Sequence, residues 1–168
     1  MTDDFGTRQA LTGMVWGVRA SFFGYVQRMP GTRIQTGYGA GRIPTGEFFF
    51  SLEDDSSFDR NALTGVLKFQ GLVQVTAHGG MLNVQLINPW LTVADEGAVL
   101  SVIDRRQPAE SDARVDLVTV SLPTPTSDGE TLMWAEAGTA LTAAALPIFN
   151  EQYPAGDAFD PVTVRILY

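Results

Sequence analysis

Apolar residues fall on alternate positions through most of the chain. In GMVWGVR (13–19), Met14, Trp16 and Val18 occupy every second place. In GMLNVQLIN (80–88), Leu82, Val84 and Leu86 share one face, while Asn83 and Gln85 share the other. EFFFSLE (47–53), GVLKFQG (65–71), LVQVTAH (72–78), PWLTVAD (89–95) and AVLSVID (98–104) have the same β-prone character, as do RVDLVTVSL (114–122), TLMWAEAGTAL (131–141) and PVTVRILY (161–168). A period of two is the signature of a strand. Roughly ten such runs, spaced at about 8–12 residues, predict a mainly β fold built as an antiparallel β-sandwich.

Two segments depart from this pattern. RASFFGYVQRMPG (19–31) predicts a short helix, with Ser21 at its cap or in its first turn and Pro30-Gly31 as its stop. LTAAALPIFNEQY (141–153) is Ala-rich and predicts a second short α-helix, with Pro147 near an end or at a kink. EDDSSFDRNA (53–62) and LPTPTSDGET (122–131) read as exposed loops from their Pro, Ser, Asp and Gly content. GYGAGRIPTG (37–46) is glycine-rich but lacks the strand–GxxxxGK[ST]–helix context of a phosphate loop. There is no internal repeat and no long Pro-rich linker, so residues 1–168 read as one domain.

Composition narrows the function classes. With 45% hydrophobic residues, the chain can bury a core and is not disordered. No apolar run approaches the ~18 residues of a spanning helix, so membrane insertion is not expected. The chain has no cysteine, which excludes disulfides, thiol catalysis, zinc fingers and iron–sulfur clusters. Nineteen acidic residues against eleven basic ones give a net charge of −8. Phosphate backbones are bound largely through Lys and Arg, so a nucleic-acid partner is not expected, nor is an anionic membrane surface. A small molecule or a protein remains as partner.

Little conventional catalytic chemistry is visible. The single histidine, His78, lies in VTAHGGML between two strand-like runs, where it is either a turn residue or part of a site. A Ser–His–Asp hydrolase would be expected to show a G-x-S-x-G elbow, and none is present. Glu53-Asp54-Asp55 reads as a solvated turn rather than a glycosidase pair. Zinc would need further nitrogen or sulfur ligands; calcium on loop carboxylates stays open, although DDSSFD does not follow the calcium-loop pattern.

One constellation has a chemical logic. In SFFGYV, Ser21 and Tyr25 are four apart and share a face if the segment is helical. Phe22 and Phe23 add apolar bulk, and Gly24 leaves room for a flat ligand. A tyrosine phenolate is a known haem-iron ligand. A free phenol ionises near pH 10, so it needs a metal charge or a hydrogen bond to hold the phenolate near neutrality. An N–H from His78 would supply that bond, making the histidine a partner of the ligand and not itself a ligand. The same segment also reads as an amphipathic core stretch, and spacing alone favours that reading.

The chain resembles the HtaA family, the haem-binding domain of actinobacterial haem-uptake proteins. LTGMVWGVRASFFGYV is similar to the family's opening, a Gly/Trp strand followed by Ser-Phe-x-x-Tyr. GVLKFQGLVQVTAHGGMLNVQLINPWLTV is similar to its most distinctive stretch, F-x-G leading to H-G-G and then L-x-N-P. FNEQYPAGDAFDPVTVRI is similar to its ending, Tyr-x-x-G before Asp-Pro-Val. The resemblance covers most of the chain. It implies a β-rich sandwich with short helices that binds ferric haem without catalysis. In it Tyr25 is the iron ligand, His78 hydrogen-bonds that tyrosine and Ser21 contacts a propionate. Tyr153 matches a tyrosine of the closing segment that lines the pocket or holds the loop. Phe22 and Phe159 are placed by position as pocket walls. The implied partners are haem and haem-donor or haem-acceptor proteins.

Family members usually carry a signal peptide, and often an anchor or several domain copies. MTDDFGTRQALTG is not a secretory signal. The expected setting is therefore either the cell surface or a cytoplasmic relative that stores or passes on haem. A β-sandwich interaction module without cofactor is the alternative of a different class.

Overall fold

A computed structural model of the chain describes residues 12–108 and 111–168. Its strands are β1 (Gly13–Trp16), β2 (Arg33–Gly37), β3 (Ala40–Arg42), β4 (Phe48–Asp59), β5 (Thr64–Gln70), β6 (Leu72–Ala77), β7 (Leu82–Ile87), β8 (Trp90–Ala94), β9 (Gly97–Ile103), β10 (Arg114–Ser121), β11 (Thr126–Ser127), β12 (Thr131–Leu141) and β13 (Ala158–Leu167). Among the described residues, one α-helix, α1, covers Ala20–Val26, and 3-10 turns cover His78–Gly80 and Ala143–Phe149.

The mainly β, antiparallel reading holds, but the sandwich does not. The larger sheet runs β1-β13-β12-β10-β9-β8-β5-β4, and β4 pairs back onto β1, with Phe48 opposite Trp16 and Phe50 opposite Met14. Eight strands thus close into a barrel-like sheet, with β3 added to β4 and β11 to β12. Closure depends on β4. Its register with β5 shifts between Leu52 and Asp54, and again between Asp54 and Ser57. Bulges of this kind bend a strand and increase its twist. One end of β4 can therefore pair with β1 while the rest follows β5. The expected loop at 53–62 is in large part this bulged strand, where the Asp54 carboxylate accepts from the Ser56 N–H at 2.8 Å. The alternating apolar residues turn inward. Met14, Trp16, Phe48, Phe50, Leu67, Phe69, Val164 and Ile166 are buried, and each such side chain contributes roughly 1.5–3 kcal/mol relative to exposure.

A second sheet, β2-β6-β7, leaves the barrel between β5 and β8, which pair directly with each other. Val73, Val75 and Ala77 of β6 stand opposite Leu86, Val84 and Leu82 of β7 and are buried with them. The outer face is polar, with Gln74 donating to Asn83 at 3.1 Å. The strands switch sheets at Gly71 and Asn88. Gly71 has φ +140, and a Cβ there would lie 2.3 Å from the Ala40 Cβ. Arg114 braces the switch. It donates to the Asn88 carbonyl and to the Ser101 carbonyl and hydroxyl, and it stacks 3.9 Å from the Trp90 ring.

The helix α1 is shorter than the predicted 19–31, ending at Val26. The Thr32 hydroxyl donates to the carbonyls of Val26 and Met29, which closes the helix well before Pro30. Ser21 does not cap it. The cap is tertiary, because the Ala20 N–H donates to the Asp160 carboxylate of β13 at 2.9 Å. A Cβ at Gly17 would sit 2.7 Å from that carboxylate oxygen. The second expected helix is a 3-10 segment rather than an α-helix. Pro147 lies inside it and has no N–H to give to an α-helical ladder. Thr142 caps it by accepting from the Ala145 N–H at 3.2 Å.

Candidate functional site

The helix α1 presents two unlike faces. Phe22, Phe23 and Val26 are buried against the barrel. Ser21 and Tyr25 face outward, and Tyr25 is 55% exposed. A Cβ placed on Gly24 would meet nothing within 4 Å, so the helix surface beside Tyr25 is open. The spacing that puts Ser21 and Tyr25 on one side also seats Phe22 and Val26, likewise four apart, in the core.

Behind this face lies an aromatic cluster. Phe22 is 1% exposed and makes edge-on contacts with Phe149 at 5.6 Å and Tyr153 at 6.4 Å. Phe159 is 6% exposed and packs against Phe149 at 5.1 Å and Tyr153 at 5.6 Å. These edge-on arrangements match the favourable aromatic geometry. Phe22 and Phe159 thus back the surface from beneath, whereas Tyr153 is only partly buried. The Arg19 guanidinium lies 4.2 Å from the Tyr153 ring centroid and 5.3 Å from that of Phe159. Its Nη1 pairs with Asp157 at 2.8 Å and donates to the Ala158 carbonyl at 2.6 Å.

Burial pushes the Tyr153 phenol above its ordinary value, and the neighbouring Arg19 pulls it back. The Asp157 carboxylate and the Tyr25 phenol, both acidic neighbours, add to the upward push. Tyr25 and Tyr153 are therefore electrostatic neighbours, although they belong to opposite ends of the chain.

His78 stands on a different element. It lies at the tip of the β6–β7 hairpin, exposed, in a left-handed conformation with φ 53, and Gly79 and Gly80 continue with positive φ. The Met81 N–H closes the turn onto the His78 carbonyl at 3.2 Å. Thr76, two residues before His78, pairs with Arg33 at the start of β2. The chain reaches β2 from α1, so the hairpin tip lies at the end of the small sheet nearer to the exit from the helix. Among the described residues, no hydrogen bond joins His78 to Tyr25.

The fold thus assembles Ser21, Phe22, Tyr25, Tyr153 and Phe159 around α1, whereas His78 stands apart from them at the tip of the β6–β7 hairpin. Sequence reasoning missed Arg19, Phe149 and Asp157. Arg19 immediately precedes the helix and Asp157 falls in YPAGDAFDP, but nothing in either segment signals that the two meet. The clefts lie elsewhere. One of about 440 Å³ involves Asn83, Gln85, Arg105 and Ile148, and another of about 280 Å³ involves Glu47, Glu136 and Arg165. Among the described residues, no three His, Cys, Asp or Glu side chains are grouped to hold a bare metal ion, and no helix is long and apolar enough to cross a membrane.

The HtaA family model (Htaa) matches residues 12–165. The chain belongs to the HtaA family. The C-terminal domain of HtaA from Corynebacterium glutamicum is 22% identical, with a TM-score of 0.77 over 94% of this chain and 97% of that one. The N-terminal domain of the same protein is 24% identical, with a TM-score of 0.74 over 92% and 94%. HtaB from Corynebacterium glutamicum, described as a heme-binding protein, is 17% identical, with a TM-score of 0.61 over 92% and 94%. At these identities the likeness carries the fold. No curated protein sequence matches the chain. The family match runs through α1, the hairpin tip and the closing segment, so all the site elements lie inside it.

Proposed function

We propose that this HtaA-family chain is a haem-binding module of haem uptake and transport, formed by residues 1–168 as one domain and without catalytic activity of its own. The observation that carries the reading is Tyr25, a phenol more than half exposed on a helix whose other side is locked in the core. It lies beside an open glycine surface and above an aromatic floor.

Haem is the cargo, and Tyr25 would hold its iron through a phenolate oxygen, an anionic donor that suits Fe(III). The His78 imidazole would stabilise the phenolate by donating an N–H to it. Ser21, on the same face as Tyr25, donates to a propionate. Tyr153, with Phe22 and Phe159 behind it, forms the apolar wall. A proton competes with iron for the phenolate, so affinity falls in acid. Haem donors and acceptors in an uptake chain are the fitting protein partners.

The test is a ferric haem titration followed by absorbance, on the wild type and Tyr25→Ala side by side. A saturable one-to-one complex with a high-spin tyrosinate spectrum, lost in the variant, is expected. An unchanged titration in Tyr25→Ala would remove Tyr25 as ligand, and no saturable binding by the wild type would remove the haem reading altogether. Affinity that stayed constant from neutral pH to about pH 4 would also rule out a phenolate ligand.

A further inference from the structure

Arg19 is held in an unusual way for a residue at the edge of a surface site. It sits just before α1 in extended backbone, with φ −154 and ψ 102. Its side chain reaches across to the opposite end of the chain, 139 residues away, to bond the Ala158 carbonyl. The same nitrogen pairs with Asp157. The flat guanidinium covers the Tyr153 ring at 4.2 Å and reaches the Phe159 ring at 5.3 Å. Its Nε is buried without a hydrogen-bond partner. A buried donor left unbonded costs free energy. A role in haem binding would account for keeping an arginine in a place where an apolar residue would avoid that cost.

The geometry points to Arg19 as a positioning residue of the haem site, one that fastens the closing segment Tyr153–Phe159 onto the first turn of α1 and so sets the Tyr153 phenol beside Tyr25. This rests on the haem reading above. Arg19 does not touch iron; it acts through Tyr153. A planar cation can hold an aromatic face and a carboxylate at once, which a lysine ammonium does less well. Without it, Tyr153 keeps its edge contacts to Phe22 and Phe149 but loses the charge above its ring, and Asp157 is left without its partner. The wall beside Tyr25 then loosens.

The experiment is a double-mutant cycle on ferric haem affinity, using wild type, Arg19→Gln, Tyr153→Phe and the double variant, with absorbance spectra of each complex. Thermal melts verify that each protein is folded, and Arg19→Lys serves as a conservative variant. Arg19→Gln is expected to weaken binding by about tenfold and to broaden the tyrosinate bands, and Arg19→Lys to recover part of that loss. The two single effects are expected to be strongly non-additive, because groups in direct contact couple. Additive effects, or an Arg19→Gln complex with wild-type affinity and spectrum, would overturn the role. Failure of the wild type to bind haem would instead overturn the haem reading beneath it, so the two failures are distinguishable.

Discussion

The Gly71 N–H donates to the Asn88 side-chain carbonyl at 3.0 Å, and the Asn88 N–H donates back to the Gly71 carbonyl at 2.9 Å. This reciprocal pair sits where one long hairpin, from β5 through β8, changes sheets. Beneath it the strands belong to the barrel. Beyond it they carry His78 out on a separate sheet. The position of the hairpin tip is therefore set by two residues that reach it only through the backbone.

That pair predicts two graded effects. Asn88 occupies a left-handed conformation with φ 49, which Asn tolerates better than most residues. Asn88→Ala loses both this tolerance and an acceptor, so a destabilisation of about 1–3 kcal/mol is expected. Gly71→Ala meets backbone and side-chain atoms of Ala40 at under 3 Å in addition to a positive φ, and about 3 kcal/mol or more is expected. Urea unfolding measures both. A Gly71→Ala protein as stable as wild type would show that Ala40 gives way to an added Cβ at no cost.

The brace on the same switch gives a second expectation. Burial lowers the Arg114 pKa to about 10, leaving it charged at neutral pH. Its removal leaves the carbonyls of Asn88 and Ser101 without this donor and uncovers Trp90. Arg114→Ala is expected to cost about 2–4 kcal/mol, with a change in Trp fluorescence at neutral pH. Arg114→Lys should recover little, because one ammonium cannot both stack and fork.

Stability and binding should separate on the outer face of α1. Gly24 lies in a helix interior with open space around its Cα. Gly24→Ala is therefore expected to stabilise the fold by about 0.5–1 kcal/mol. Tyr25→Phe should leave stability within about 0.5 kcal/mol, because the side chain is half exposed. In haem titrations both variants should bind more weakly, Tyr25→Phe most severely. Melting temperature and affinity measured on the same samples decide it, and a Tyr25→Phe that bound normally would count against the phenolate.

Alkaline pH should expose Tyr153. Burial raises its folded pKa above the unfolded value near 10. The folded state then holds the phenolic proton where the unfolded chain has released it. The contribution to stability is complete below about pH 10 and is lost as pH rises through the raised folded pKa. Stability against pH, compared between wild type and Tyr153→Phe, should show a steeper alkaline decline in the wild type. Parallel curves would mean that Tyr153 titrates as a free phenol.

The strands were legible because alternation is local. Each run from GMVW to TVRIL announces its inward face within a few residues, and all of those runs contain strands. The expected loop at 53–62 misled because Asp and Ser are turn residues in isolation, whereas in β4 they occupy the bulges of a strand paired to β5. The second helix misled because its Ala content is a helix signal that Pro147 limits to a 3-10 turn. The strand β2 was missed because RIQTG buries no side chain completely and so lacks a strong alternating pattern.

The sequence by itself determined the β-rich class, the shared helix face of Ser21 and Tyr25, and the turn that carries His78. These depend on spacings of two and four residues and on glycines at the turn, so they can be read locally. Only the tertiary structure decided that the sheet closes through β4 onto β1, that Asp160 caps a helix 140 residues away, and that Arg19 holds Tyr153 and Asp157 together. The last two contacts join the two ends of the chain. They form because burial of the barrel core brings β1 and β13 side by side, and no local pattern in either segment encodes its distant partner.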